Sequence, residues 1–147
     1  MRDISRLESF SKIIAAEFEN ADAQRRKDAA YKACLLAIEL ADVESDEIAK
    51  AVKFLQTGIG DSVSIINKVS LLENKYDDMY LSTIDSTDTE TIKNSINWFS
   101  KARALSSLSI YLTNTPEHLD EAIYEAISST KDSERIIKLI KDNLFWI

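Results

Sequence analysis

The side chains able to do chemistry are few. His118 is the only histidine and Cys34 the only cysteine among 147 residues. One histidine excludes a His-pair metal site, and one cysteine excludes an internal disulfide or a cysteine-based zinc site. A di-iron bundle needs Glu-x-x-His on two helices, and the chain does not supply it. His118 stands beside Glu117 and Asp120 in the first turn after Pro116, the setting of an exposed surface residue. Cys34 lies in Tyr31-Lys32-Ala33-Cys34-Leu35-Leu36, an apolar helical stretch where a free thiol is buried and inert. No helix start or basic turn adjoins it to favour the thiolate, so a Cys34–His118 nucleophilic pair has no local support.

Gly58-Ile59-Gly60-Asp61-Ser62 places two glycines before a helix, but lacks the third glycine or the Lys-Ser/Thr pair of a phosphate cradle. It also follows a helix rather than a strand, and a helix stop plus a helix start explains both glycines. Two carboxylate pairs remain. Glu44-x-x-Glu47 and Glu117-x-x-x-Glu121 each have helical one-face spacing. Convergence of Glu44, Glu47 and Glu121 would make a magnesium-dependent all-α hydrolase. Both pairs, however, fall at predicted helix starts, where acids complement the helix dipole. No catalytic residue, metal ligand or cofactor is assigned.

The stretch from Glu73 to Glu90 has a different character. It holds six acids against the single Lys75, interleaved with Tyr76, Met79 and Tyr80. Aromatic and methionine anchors among acids suit a surface that meets a basic protein. Tyr76 and Tyr80 are the expected anchors, and Asp77, Asp78, Asp85 and Asp88 the expected partners for Lys or Arg. The alternative is that the tyrosines cover the core while the acids solvate a loop.

The charge balance agrees with a protein partner. The chain carries a formal −7, with 11 basic and 13 acidic residues up to position 75 and 7 and 12 beyond it. Acidic surfaces repel phosphate backbones, so no nucleic acid is expected. The run Arg25-Arg26-Lys27 is flanked by Asp22 and Asp28 and reads as a solvated helix face. No signal-peptide pattern opens the sequence, and the longest apolar run, Ala33 to Ile38, is far short of the ~20 residues of a membrane span. A cytoplasmic protein without membrane association is expected.

What must position these residues is helical. Gly58, Gly60 and Pro116 are the only glycines and proline, where about 18 of the two types together would be ordinary. Hairpin and strand turns need that punctuation, and the chain is rich instead in helix formers. Ile4, Leu7, Phe10, Ile14 and Phe18 mark one face of a first helix, and Ala30, Cys34, Ala37, Ile38 and Ala41 one face of a second, over about 22–42. Ser45 caps a third helix over 46–57 that Gly58 ends. Asp61 caps the next segment, lined by Val63, Ile66, Val69 and Leu72. Residues 73–84 either extend it or form another helix. A polar linker near 82–89 follows, with Thr87 and Glu90 spaced as a capping box.

A long helix over about 88–113 carries Ile92, Phe99, Leu105, Leu108 and Leu112. Thr115-Pro116 opens the next helix, with Leu119, Ile123, Ala126 and Ile127, and Asp132 the last, with Ile136, Leu139, Ile140 and Leu144. The apolar end Leu144-Phe145-Trp146-Ile147 is expected to dock into the core rather than onto another chain. The expected fold is all-α, one domain over 1–147, a compact bundle or short array of seven to eight helices in antiparallel hairpins.

Leu108-Ser109 followed by Leu119-Asp120-Glu121-Ala122-Ile123 resembles the hairpin of a tetratricopeptide repeat over residues 98–130. Ser109 replaces that repeat's glycine, Ser129 stands where a small alanine is expected, and no closing proline follows. The resemblance implies at most that helical hairpins stack into a binding surface. From composition alone, the expected function is a non-catalytic inhibitor or immunity protein that neutralises a basic toxin such as a nuclease. A helical-repeat adaptor for a peptide or protein is the alternative.

Overall fold

Apolar residues at spacings of three and four cannot be shielded by one helix alone, so each such face must find a neighbour. A computed structural model describes residues 6–43, 45–113 and 116–144 and shows how they do so. The protein is all-α, with seven α-helices and no strand among the described residues. They are α1 (Lys12–Asn20), α2 (Ala23–Ala41), α3 (Asp46–Thr57), α4 (Ser62–Thr83), α5 (Thr89–Leu112), α6 (Leu119–Ser128) and α7 (Ser133–Leu144). Short 3-10 turns at Arg6–Ser9 and Pro116–His118 precede α1 and α6.

α2 is the centre of the bundle and packs on α5, α6 and α7. Its buried face is small (Ala29, Ala30, Ala33, Cys34, Ala37), which lets the neighbouring backbones come close. α5 answers with Leu105 and Leu108, α6 with Ile123 and Ile127, and α7 with Ile136 and Ile140. The Ser107 hydroxyl donates to the Ala122 carbonyl at 2.6 Å, tying α5 to α6 inside the core. α4 lies outside this group. It packs on α5 along its length and more lightly on α3, and Val69 is its one fully buried residue among those described.

Several ends follow the local chemistry already identified. Asp22, Ser45 and Asp61 cap α2, α3 and α4 with side-chain oxygens that accept from Arg25, Ile48 and Ser64 amides. Gly58 ends α3 at φ 73°, a left-handed conformation that a Cβ would disfavour. α4 is one helix through Thr83, so residues 73–83 extend it. The Ser82 and Thr83 hydroxyls bond back to Met79 and Tyr80 carbonyls, and Ile84–Asp88 then turns the chain into α5.

Four expectations are corrected. The first helix is broken: Leu7 sits in a 3-10 turn and Ser11 then caps α1, its hydroxyl accepting the Ile14 amide. The break turns Phe10 out to 40% exposure, where it rests against Tyr124. α5 is capped by Asp88 rather than Thr87. The Asp88 carboxylate takes both the amide and the hydroxyl of Thr91, two bonds from one side chain at 3.0 and 2.8 Å. Val63 and Ile92, assigned to core faces, are exposed near opposite ends of the α4–α5 pair. Four sequence features, Ile4, the Glu44 carboxylate, the Thr115 cap and the Phe145-Trp146-Ile147 end, lie outside the described residues.

Candidate functional site

Tyr76 and Tyr80 are four residues apart on α4 and so share one stripe of it. That stripe faces α5. Tyr76 stacks on Trp98 at 5.7 Å with the planes 16° apart, and Tyr80 tilts against Phe99 at 5.2 Å. The Lys101 ammonium lies 5.8 Å from the Tyr76 ring and 5.9 Å from that of Trp98. The two tyrosines are half-buried and form the glue of the hairpin.

One turn along, a charged cluster closes the inner end of this seam. Arg103 on α5 donates to both Asp77 oxygens, at 2.9 and 3.2 Å, and to the buried Glu125 of α6 at 3.2 Å. Burial works against the Arg103 cation, but Glu125 and Asp77 outweigh it and hold its pKa above the usual range. Burial pushes the Glu73 carboxyl up, although Arg103 pulls the other way. Beyond Glu125, Arg6 pairs with Glu121 at 2.9 Å and stacks 3.8 Å over Tyr124. This cluster joins three helices and the N-terminal turn.

The remaining sequence-assigned residues point elsewhere. Asp78 and Asp85 are exposed, and Asp88 is exposed while it caps α5. The Thr91 hydroxyl and amide hold the Asp88 carboxyl below the usual range. The six residues are thus divided: Tyr76, Asp77 and Tyr80 along the α4–α5 seam, Asp78, Asp85 and Asp88 on the outside of its far end. Sequence reasoning missed what surrounds the latter three. Leu81, Ile84, Ile92 and Ile96 are all exposed beside them, with Glu90 adding a further exposed acid. Their helical spacing reads as a core face, and only the fold shows that it is exposed.

Other chemistry-bearing groups are accounted for locally. The Cys34 thiol is fully buried, donates to the Tyr31 carbonyl at 3.2 Å, and is pushed up to about 12 by burial. Burial likewise pushes the Tyr111 phenol up to about 12. His118 is exposed in its 3-10 turn. Arg26 of the basic run turns inward and donates to the Phe18 and Glu19 carbonyls at the end of α1. Glu47 lies in the first turn of α3, and Glu121 is held by Arg6. Among the described residues, no three His, Cys, Asp or Glu side chains group as metal ligands, and no helix is long and apolar enough to cross a membrane.

Two clefts flank the α3–α4 connection. One of about 490 Å³ is lined by Lys27, Phe54, Leu55, Ile66, Tyr111 and Leu112, among others. The other, of about 230 Å³, is lined by Lys50, Lys53 and Lys68 together with Ile59, Gly60 and Ile65. Comparison with protein-family models, curated proteins and solved structures finds no significant match.

Proposed function

We propose that this chain is a non-catalytic, cytoplasmic binding protein whose α4–α5 hairpin end covers a basic protein partner. An inhibitor or immunity protein that neutralises a basic toxin such as a nuclease is the form of this reading the composition favours. One observation carries it: exposed Leu81, Ile84, Ile92 and Ile96 lie at the same hairpin end as exposed Asp78, Asp85, Asp88 and Glu90. An apolar patch set among acids offers burial for affinity and charge for choice of partner. Tyr76, Tyr80 and Asp77 support that surface from behind by fixing α4 on α5.

Capture from an extract of the native cell tests this reading. Immobilised wild-type chain retains a basic protein that salt releases, and Asp78→Lys/Asp85→Lys does not retain it. Equal retention of the same proteins by both chains removes the hairpin end from consideration. A helical-repeat adaptor is the second reading, favoured by the 490 Å³ cleft under Tyr111 and Phe54. It predicts that Phe54→Ala, and not the hairpin variant, abolishes capture.

A further inference from the structure

α4 is continuous from Ser62 to Thr83, and its two ends carry opposite charge. At its far end the exposed acids surround Leu81, itself 62% exposed. At its near end Lys68 joins Lys50 and Lys53 of α3 around the 230 Å³ groove. Among the described residues, none of these three ammonium groups has a carboxylate within ion-pairing distance. Asp61 also lines the groove, but its carboxylate caps α4 by accepting the Ser64 amide. The groove is apolar as well as cationic: Ile59 stands 70% exposed on its rim, and Ile65 lines it. In a chain of formal charge −7, a lysine cluster without paired carboxylates is a local inversion of the surface.

We propose that the acidic hairpin end of one molecule docks into the lysine-lined α3–α4 groove of a second copy of this chain. Leu81 and Ile84 meet Ile59 and Ile65, while Asp78 and Asp85 face Lys50, Lys53 and Lys68. The match is double, apolar on apolar and acid on base, which is what sets register and partner choice at an interface. A molecule cannot satisfy its own groove. Lys68 and Leu81 are thirteen positions apart on one helix, which at 1.5 Å per residue holds them about 20 Å apart. Hairpin end against hairpin end is disfavoured, because it sets Asp78, Asp85, Asp88 and Glu90 against their own copies. The contact is therefore head-to-tail, and it propagates into chains or closes into rings. It rests on the reading of the hairpin end as a docking surface, and a basic partner competes with the second copy for that end.

Sedimentation of the purified chain at low and high salt provides the test. The wild-type mass rises with concentration above the monomer's 16.6 kDa, and falls back to it when salt shortens the Debye length from about 10 Å to about 3 Å. Asp78→Lys/Asp85→Lys and Lys50→Glu/Lys53→Glu each weaken association at least about tenfold. Mixing these two variants restores it, since each keeps one intact surface. Circular dichroism checks the fold, and Leu81→Ser and Ile59→Ser replace any pair that fails to fold. A wild-type chain that stays monomeric at low salt overturns the proposal, as does association that the groove variants leave unchanged. Capture of a basic partner by the Lys50→Glu/Lys53→Glu chain is unaffected in either case, so failure here is distinct from failure of the partner reading.

Discussion

The two halves of α5 have opposite surroundings. From Ala102 to Leu108 every residue except Arg103 is buried, enclosed by α2, α4 and α6. From Thr89 to Ile96 only Ser95 is buried. The contrast inverts the usual ranking of side chains. Ser106 and Ser107 are 9% and 0% exposed, whereas Ile92 and Ile96 are 43% and 39% exposed. Burial here is set by how many helices surround a position, and hydrophobicity follows it only where the bundle is complete. Serines serve the crowded half because they are small and can bond to a neighbouring carbonyl, as Ser107 does. The exposed isoleucines of the open half are the area that the proposed partner would cover.

The largest effect should come from the crowded half. Leu105→Ala is expected to cost about 2–5 kcal/mol in urea unfolding, since a closed core relaxes only partly around the cavity. Next is Arg103→Ala, which leaves Asp77 and the buried Glu125 without their shared cation. Arg103 is partly exposed, so a loss of about 1–3 kcal/mol is expected, below that of a fully buried pair. On the open half, Ile92→Ala with Ile96→Ala should cost about 1–2 kcal/mol together, because each side chain is already close to half exposed. If that pair costs as much as Leu105→Ala, the contrast between the halves is wrong.

The smallest effect concerns pH. The folded state holds Glu73 above the usual carboxylate range, mainly by burial, so it binds the proton more tightly than the unfolded chain does. Stability contributed by this group therefore falls as pH rises from the ordinary carboxylate range through its raised folded value. Glu73→Gln removes that loss. Its gain in Tm over wild type should be larger near pH 7 than near pH 3, and an equal gain at both would show that burial does not raise this group.

Much of the fold was legible in the sequence, because helix ends are decided locally. Ser45 and Gly58 bound α3 where their types require, and Asp22 and Asp61 start α2 and α4. The break at Ser11 and the Asp88 cap were less legible, since each depends on which of several nearby oxygens wins the orphan amides. The candidate site was legible in composition and not in arrangement. The acids and tyrosines of 73–90 stand out in the chain, but their separation into seam and outer face depends on the pairing of α4 with α5. Arg103 and Glu125 lie 22 residues apart, so no local pattern connects them to Asp77. Exposed Ile92 and Ile96 look like core by periodicity, and nothing in the sequence says that the fold leaves them exposed.

In the proposed function, a basic partner covers the open end of the hairpin. Amide hydrogen exchange on the chain bound to its captured basic partner, compared with the dilute free chain, tests it most directly. New protection over residues 78–96 is expected, with unchanged exchange along residues 54–66. Protection confined to 54–66 and the cleft beneath Tyr111, with 78–96 exchanging as in the free chain, would contradict it.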